Sequence, residues 1–365
     1  MTVTHARRRE RLAALLPACE ADAILVTGGV NVRYLTGLDS SNAALLVRAG
    51  ARAALATDSR YAETARRVCP DVEVIEDRDV TGVLATAALD GSPPGRLAVE
   101  AHRMTADVYF TLGGDLLRLS GLVESVRRVK DEEEIGLLRT ACELTDRAFA
   151  ELLPTLRPGL TEREVARTLE RLMADLGADA PAFATIVASG PNGSIPHHSP
   201  SDRPLARGDL VTMDFGARYG GYHADMTRTV AIGEPAGWQR ELYDLVRAAQ
   251  RAGREAVRPG AAAHEVDAAA RDLIAEAGHG GHFGHGLGHG VGLEIHEVPF
   301  LSPAPAAAKT EPGRGHARLE DRVPVTVEPG VYIPGRGGVR IEDTLVTRDD
   351  GPELLTRTTK ELLVL

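Results

Sequence analysis

Short apolar runs separated by amphipathic segments fill the first third of the chain. Residues 23–27 (AILVT) and 43–47 (AALLV) have the length of strands, and two shorter apolar runs follow them. An apolar run of about four to eight residues between turn signals is typical of a buried strand, whereas segments such as 60–69 have helical spacing. Residues 1–126 are therefore predicted to form an α/β domain.

A long amphipathic helix is expected to begin the second domain. Asp131 and Glu134 have the spacing of a capping box, in which two side chains satisfy free N–H groups at a helix start. Apolar residues then return at helical spacing, at Ile135, Leu138, Cys142, Phe149 and Leu152. This change of period places the domain boundary near Arg127 and assigns residues 127–365 to the second domain.

An internal repeat divides the second domain. RPGLTEREVARTLERLMADLG at 157–177 and RPGAAAHEVDAAARDLIAEAG at 258–278 share Arg-Pro-Gly, Glu-Val and a terminal glycine at a constant offset of 101 residues. Each copy predicts a Pro-Gly turn, a helix and a glycine at the helix end. Helices over 135–153 and 238–257 precede the copies and strands follow both, so we expect a duplicated α+β domain with a cleft between its halves.

The first half contains a predicted hairpin with strands over 209–219 and 222–232. Asp214 and Asp225 lie on its two arms. A turn centred on Gly220-Gly221 makes them diagonal neighbours, and a turn one residue earlier makes them direct partners; both registers put the carboxylates on one face. Carboxylates this close repel and raise each other's pKa unless a cation lies between them. The pair therefore indicates a metal site.

The second half contains a matching hairpin, with strands over 322–333 and 338–347. Glu328 and Glu342 each occupy the face opposite a run of β-branched apolar residues. A single acidic residue in such a position is usually solvated. Four carboxylates, paired on two hairpins of a duplicated domain, instead favour a shared cation site.

The stretch HFGHGLGHGVGLEIHE, residues 282–297, has four histidines and two glutamates among five glycines. Runs of glycine and histidine also occur in flexible surface loops. Imidazoles, however, bind metals and transfer protons near neutral pH, and glycines let a backbone approach other groups closely. This stretch does not stand alone, because paired carboxylates on two predicted hairpins accompany it in the same domain.

The composition excludes several function classes. The formal charge is −10 with no basic run beyond residues 7–9, so nucleic acid is not an expected partner.

The cysteines and the N-terminal segment bear on the cellular compartment. Cys19, Cys69 and Cys142 are odd in number and far apart, which fits no disulfide framework and favours a reducing compartment. The basic start followed by LAALLPA favours an amphipathic helix over a signal peptide, and no apolar run has the length of a membrane span. We expect a cytoplasmic protein without a membrane partner.

These segments resemble the pita-bread metallopeptidases, the family with the creatinase fold, and within it the Xaa-Pro peptidases prolidase and aminopeptidase P. The resemblance rests on motifs within residues 180–345: SGPNGSIPHHSPSD, MDFGARYGGYHADMTRT, HGLGHGVGLEIHE and VTVEPGVYIPGRGGVRIED. Weaker similarity at 31–38 (NVRYLTGL) and 57–63 (TDSRYAE) extends it to the first domain. It implies an α/β N-terminal domain followed by a duplicated α+β pita-bread domain.

The resemblance implies two divalent metal ions and five ligands. Asp225 and Glu342 are expected to bridge the ions, and the full set is Asp214, Asp225, His289, Glu328 and Glu342. Four carboxylates balance the charge of two divalent ions. A donor set of mostly oxygen with one imidazole favours manganese, or cobalt, over zinc, which stays possible.

The resemblance also implies catalytic residues beside the ions. His285 is expected to contact the scissile region, and His296 to donate a hydrogen bond to the oxyanion that forms in the reaction. His197 is expected to approach the proline of the substrate. Glu328 is both a ligand and the expected proton shuttle from the nucleophile to the departing nitrogen.

Tyr332 and Arg340 follow the ligand motifs and resemble residues that support the ligands or bind substrate. An alternative for Arg340 is a salt bridge to Glu342. His198, next to His197, matches the family less closely. His279 and His282 are interpreted as loop histidines.

The expected reaction is hydrolysis of the peptide bond that precedes proline, in short peptides with proline at the second position. A homodimeric prolidase acting on dipeptides is favoured over aminopeptidase P acting on longer peptides, because chains of this size more often resemble prolidases. Methionine aminopeptidases are a distant alternative, since they usually lack a domain like residues 1–125 and a histidine at the position of His285. A metal-free pita-bread binding protein is disfavoured because all five ligands are present.

Two features bear on substrate length. The Pro/Ala/Gly-rich stretch over 302–316 has no helical or strand period, which predicts a surface loop that either limits substrate length or makes dimer contacts. Arg33, Arg48 and Arg60 of the first domain are candidates for the cation that the free carboxylate of a dipeptide requires.

Overall fold

The structure, a computed structural model, describes residues 2–90, 95–304 and 318–365. Most of the predicted loop at 302–316 lies outside these ranges. The chain forms two compact units, Met1–Arg127 and Arg128–Leu365. Within the described ranges, no helix combines the length and the apolar character that a bilayer span requires.

Helices and strands alternate along both units. The helices are α1 (Thr2–Leu15), α2 (Gly29–Thr36), α3 (Ala62–Val68), α4 (Val80–Leu89), α5 (Ala106–Leu112), α6 (Leu122–Arg128), α7 (Glu132–Leu152), α8 (Glu162–Asp175), α9 (Gly237–Ala256) and α10 (Ala263–Glu276). The strands of the first unit are β1 (Ala23–Val26), β2 (Ala43–Arg48), β3 (Ala54–Thr57), β4 (Glu73–Glu76), β5 (Leu97–Glu100) and β6 (Leu117–Leu119). Those of the second unit are β7 (Ala180–Pro181), β8 (Ile186–Ser189), β9 (Leu210–Phe215), β10 (Ala217–Tyr219), β11 (Tyr222–His223), β12 (Met226–Ala231), β13 (Gly288–Gly290), β14 (Glu297–Leu301), β15 (Pro324–Val327), β16 (Gly330–Ile333), β17 (Gly337–Arg340), β18 (Asp343–Val346) and β19 (Glu353–Leu354).

The first unit is built on one mixed sheet of six strands. Their order is β4-β3-β2-β1-β5-β6, in which β1 is antiparallel to β2 and parallel to β5. All four residues of β1 are buried, as its uninterrupted apolar sequence requires. Leu25, Leu46 and Val99 on the sheet pack with Leu84 of α4 in one apolar cluster. The α/β prediction for this part of the chain is confirmed.

The repeat in the second unit forms two similar halves. Helices α7 and α8 in the first half correspond to α9 and α10 in the second, and α7 begins with the expected capping box. Thr161 forms an isolated bridge with Pro204, and Ala262, which lies 101 residues after Thr161, forms one with Arg318. Each half has its own apolar cluster, one around Phe149 and the other including β15. The duplicated α+β architecture is confirmed.

Both hairpins of the second unit are interrupted where the sequence pattern predicts continuous strands. Residues 209–219 form β9 and β10 with a break at position 216, and residues 322–333 form β15 and β16 with a break at 328–329. Asp225 directly precedes β12, Glu328 directly follows β15, and Glu342 directly precedes β18. Three of the four expected carboxylate ligands therefore lie at breaks in the ladders.

The N-terminal segment forms helix α1, in agreement with the expected amphipathic helix. All three cysteines are unpaired thiols. Cys142 is buried on the inward face of α7, in agreement with the expected apolar packing. Cys69 is also buried, but its Sγ accepts from Arg9 Nη1 at 3.5 Å and donates to Asp71 Oδ1 at 3.8 Å, so its surroundings are polar.

Candidate metal centre and cavity

The turn of the first hairpin decides the relation between Asp214 and Asp225. Tyr219 pairs with Tyr222, so the turn consists of Gly220 and Gly221, whose φ angles are 59° and 88°. Two positive φ angles are what a two-residue hairpin turn of this kind needs, and glycine adopts them without steric cost. In this register Asp214 lies opposite Thr227, and Asp225 is its diagonal neighbour.

Gly216 explains the break beside these two carboxylates. A Cβ atom at Gly216 would lie 1.8 Å from the carbonyl oxygen of Ala224 on the opposite strand, so only glycine fits. The ladder resumes beyond the break, where the Ala224 N–H donates to the Ala217 carbonyl. The close approach of the two backbones occurs directly beside Asp225.

The carboxylates of the second hairpin face each other. Val327 pairs with Asp343 on one side of the break and Gly330 pairs with Arg340 on the other. Continuing this register through the break places Glu328 opposite Glu342, and the sequence pattern alone did not predict this direct pairing.

His289 lies in β13, and a backbone carbonyl determines which of its ring nitrogens carries the proton. Its Nδ1 is 3.0 Å from the Gly290 carbonyl oxygen, which can only accept, so Nδ1 carries the proton and Nε2 has the lone pair. Nε2 lies 3.6 Å from Asp225 Oδ2 and 3.5 Å from Glu328 Oε1. Burial lowers the pKa of His289 to about 4, which keeps the imidazole neutral and able to bind a metal.

The glycines around His289 allow a close approach of neighbouring backbones. A Cβ at Gly288 would lie 2.0 Å from the Thr326 carbonyl oxygen, and one at Gly290 would lie 2.5 Å from that of Val298. The glycines accommodate the neighbouring strands, which holds His289 between them.

The donor set has the properties of a metal site. Ligand atoms of Asp225, His289 and Glu342 all lie within 4.8 Å of one another. Burial raises the pKa of Asp225, Glu328 and Glu342, and repulsion from neighbouring carboxylates raises each of them further. In the described part of the chain, Asp214 Oδ1 and Glu342 Oε1 are buried without a hydrogen-bond partner. Buried, mutually repelling carboxylates with unpaired oxygens fit bound divalent cations.

A hydrogen-bond chain connects Asp214 to His285. An Arg340 Nη2–H group donates to Asp214 Oδ2 at 2.8 Å, and Nη1 donates to the Tyr332 hydroxyl oxygen, also at 2.8 Å. The Tyr332 hydroxyl is 3.0 Å from His285 Nε2. The alternative in which Arg340 pairs with Glu342 is wrong. Its carboxylate partner is Asp214, and the Glu342 side chain accepts instead from the Thr227 hydroxyl.

The remaining expected residues surround one cavity of about 470 Å³. His296 packs its ring edge-on against that of His289, with centroids 4.4 Å apart. The cavity is lined by Pro196, His197, Asp214, His285, Gly286, Gly288, His289, His296, Phe300, Ser302, Glu328, Tyr332 and Arg340. Asp225 and Glu342 are buried behind this lining. The structure thus brings all the expected site residues together.

Sequence reasoning missed several residues at this site. Pro196, Phe300 and Ser302 line the cavity without a chemical signature that would have identified them. His198 is directed away from the cavity, because its Nε2 is 2.8 Å from Glu162 Oε2. In the sequence, the position of His198 next to His197 is the only sign that it lies near this site.

Comparisons with known proteins agree with this geometry. The family model described as Metallopeptidase family M24 matches residues 136–349. The chain belongs to this metallopeptidase family. The model described as Creatinase/Prolidase N-terminal domain matches residues 8–129.

Relatives of this M24 chain align with it from end to end. The Xaa-Pro dipeptidase of Pyrococcus furiosus is 36% identical over 98% of this chain and 99% of its own length. A structure of the Xaa-Pro dipeptidase from Bacillus anthracis has a TM-score of 0.92 at 37% identity, covering 99% of this chain and all of the other. An X-Pro aminopeptidase from Thermotoga maritima has a TM-score of 0.86 at 35% identity, covering 98% of this chain and all of the other. The creatinase-type fold with an M24 catalytic domain is therefore established.

Proposed function

We propose that this M24 chain is a metal-dependent Xaa-Pro dipeptidase, which hydrolyses the bond between the first residue and proline. The supporting observation is the convergence of Asp214, Asp225, Glu328 and Glu342 with the lone pair of His289 at one cavity. Within the described residues, one oxygen each of Asp214 and Glu342 is buried without a hydrogen-bond partner. Relatives named Xaa-Pro dipeptidase match the whole chain, which supports the substrate class.

Two divalent ions are proposed to bind at Asp214, Asp225, His289, Glu328 and Glu342. When bound, they supply a Lewis acid for the substrate carbonyl and a water of lowered pKa. Two divalent ions neutralise the four carboxylates, and the neutral imidazole adds no charge. The oxygen-rich set favours manganese, with cobalt or zinc as substitutes.

The side chains around the cavity have distinct proposed tasks. Glu328 lines the cavity, so its carboxylate is positioned to take a proton from the attacking water and pass it to the leaving nitrogen. His296 is exposed beside His289 and donates a hydrogen bond to the developing oxyanion. His285 is neutral and oriented by Tyr332, which suits a contact with the scissile bond.

Specificity for proline follows from what the substrate lacks. The nitrogen of a residue-proline bond carries no hydrogen, so a site that relies on gripping an N–H at this position fails. His197 lies at the cavity with an exposed side chain and is proposed to contact the proline residue. Binding then depends on the ring and the carbonyl groups.

The cellular setting is also part of the proposal. Three unpaired cysteines are compatible with a reducing cytoplasm. A homodimer is proposed, and its proposed substrates are short peptides with proline at the second position.

The candidate cations of the first unit already have local partners. Arg33 is hydrogen-bonded to Asp39, Arg60 to Asp58, and Arg48 to the Ala87 carbonyl.

Hydrolysis of Ala-Pro and of Ala-Pro-Ala-Ala, measured with manganese and after chelation, tests the activity. The proposal expects release of proline from Ala-Pro in the presence of manganese and none after chelation. Absence of cleavage by metal-loaded, folded protein overturns it.

The alternative is an aminopeptidase P that acts on longer peptides. The fold of an X-Pro aminopeptidase matches this chain over nearly its full length, and this similarity favours it as the second candidate. A kcat/KM for Ala-Pro-Ala-Ala well above that for Ala-Pro would select it.

A further inference from the structure

Glu162 is a buried carboxylate that the proposed reaction does not use. It is the first residue of α8, and none of its surface is exposed. A glutamate in the first turn of a helix usually faces solvent, where the helix dipole favours its charge. Burial of a charged group costs free energy unless hydrogen bonds compensate for the lost solvation. The hydrogen-bond partners of Glu162 therefore indicate its structural role.

Both oxygens of Glu162 accept hydrogen bonds from one stretch of chain, residues 189–201, which we call the histidine segment. Oε1 accepts from the backbone N–H and the hydroxyl of Ser189, both at 2.7 Å, and from Asn192 Nδ2 at 3.0 Å. Oε2 accepts from His198 Nε2 at 2.8 Å, and from the N–H and hydroxyl of Ser201 at 3.0 and 2.6 Å. One side chain thus joins the two ends and the middle of the segment.

The histidine segment presents Pro196 and His197 to the cavity. Apart from Ser189, which ends β8, and one short helical turn at Gly190–Ser194, it has no regular structure of its own, so side-chain contacts hold its path. The two adjacent histidines have different contacts. His198 is held to Glu162, and His197 is left free to face the cavity.

The charge of Glu162 is stabilised where it lies. Burial alone opposes ionisation, but hydrogen bonds from Ser201, Asn192 and Ser189 outweigh it and lower the pKa of Glu162 to about 2. Both oxygens of an ionised carboxylate accept hydrogen bonds. An amide in its place would present an N–H group to some of these donors, and those hydrogen bonds would be lost. The network therefore requires a carboxylate.

We propose that Glu162 is a positioning residue for the reaction, which holds the histidine segment so that His197 meets the substrate at the proline. The inference rests on the proposed function, since His197 acts only when a substrate is bound. The structural alternative is that Glu162 stabilises the fold and has no separate effect on His197.

A double-mutant cycle separates the two possibilities. Glu162→Gln is expected to lower kcat/KM for Ala-Pro by roughly 10- to 100-fold, the usual effect of removing an orienting partner, with bound metal unchanged. In a His197→Ala background, the same substitution should change kcat/KM by less than about twofold, because the group that Glu162 positions is already absent. Equal losses in both backgrounds would overturn the proposal. Glu164→Gln, on the same helix but exposed, is the matched control and should retain wild-type kinetics.

Substitutions of His198 decide the matter if Glu162→Gln does not fold. His198→Gln keeps a donor toward Glu162 and is expected to retain kcat/KM near wild type, while His198→Ala lowers it, again only when His197 is present. Equal kcat/KM for the two His198 variants would contradict the positioning role. Failure of wild-type protein to cleave Ala-Pro at all would instead refute the proposed function, so the two failures are distinguishable.

Discussion

Two histidines at the cavity, His285 and His289, are oriented by the same kind of local hydrogen bond. In each, Nδ1 faces the carbonyl oxygen of the following residue, at 2.8 Å for Gly286 and 3.0 Å for Gly290. Nδ1 therefore carries the proton and Nε2 presents a lone pair, toward the Tyr332 hydroxyl in one case and the carboxylates in the other. Burial lowers the pKa of both to about 4, so both are neutral near pH 7.

Asp225→Asn tests the proposed metal ligand Asp225. An amide has one oxygen and no charge, so the variant should bind metal poorly and lose kcat by roughly 100-fold or more. Without metal, the variant should be at least as stable as wild type, because it removes a charge that repels Glu342 and Asp214. Elemental analysis and thermal unfolding with and without chelator measure both effects.

The control for this substitution is the exposed Asp350→Asn in the same unit. It should keep wild-type metal content and the wild-type drop in melting temperature on chelation. Full metal content in Asp225→Asn would remove this residue from the ligand set.

Lys130 and Glu297 form a buried ion pair beside His296. Lys130 Nζ lies 2.8 Å from Glu297 Oε2, with side chains only 1% and 5% exposed. Glu297 Oε1 accepts from the Glu294 N–H, which closes the loop that carries His296. Lys130→Met leaves a buried carboxylate without its cation and is expected to cost roughly 3–5 kcal/mol of unfolding free energy, measured by denaturant titration.

Removing both charges should cost less than removing one. A Lys130→Met/Glu297→Leu double variant eliminates the unpaired charge, so much of the lost stability should return. Breaking the exposed pair Arg163–Asp202 with Arg163→Met is the control and should have little effect. If the double variant is less stable than Lys130→Met, the charge argument fails.

At the level of elements, the breaks in the hairpins require particular residues. Gly216→Ala would force a Cβ against the Ala224 carbonyl, so the two strands beside Asp225 must separate. We expect a loss of roughly 1–3 kcal/mol, or more if the hairpin cannot relax, together with weaker metal binding. Gly136→Ala, inside α7 with open space around it, should instead stabilise by about 0.5–1 kcal/mol. Similar effects of the two substitutions on unfolding free energy and metal content would show that the close approach at Gly216 is unimportant.

Sequence periodicity predicted the elements better than their interruptions. The Pro-Gly turns, the paired helices and the Gly220-Gly221 alternative follow from local chemistry, and all of them are present. The breaks at Gly216 and Glu328 were not predicted, because polar and apolar positions keep alternating through them. At Gly216 the cause is the close approach of the Ala224 backbone, which leaves no mark on the alternation. At the second break, Pro329 has no N–H to donate, and the Glu328 N–H donates to the Leu287 carbonyl outside the hairpin.

The sequence did not reveal the role of Glu162, because its partners are distant along the chain. In the sequence it is one more acidic residue in the first turn of a helix, where acidic residues are common. Only the histidine segment, folded back over the start of α8, buries it. The Arg340–Asp214 pair spans both halves, whereas spacing alone offered the nearby Glu342 as an alternative partner.

Across the whole molecule, each unit contains a carboxylate whose ionised form stabilises the fold, partly buried for Glu124 and fully buried for Glu162. Burial opposes ionisation of Glu124 in the first unit and of Glu162 in the second. Hydrogen bonds, led by those from His102 and Asn31 to Glu124 and from Ser201 to Glu162, outweigh it and lower the pKa of both to about 2. A lowered folded-state pKa contributes stability above the unfolded value near 4.5, and this contribution is lost as pH falls toward 2.

Both units should therefore lose stability between about pH 4.5 and pH 2, by roughly 2–3 kcal/mol for each carboxylate at about 1.4 kcal/mol per pKa unit. Denaturant titrations at pH 7, 4.5, 3 and 2 measure this loss. Glu124→Gln and Glu162→Gln should each be less stable than wild type at pH 7 and approach it near pH 2, because the substituted group no longer takes up a proton. The exposed Glu63→Gln should follow the wild-type curve throughout. A stability deficit that is the same at pH 7 and pH 2 would mean that these glutamates stabilise the fold through packing, with no contribution from their charge.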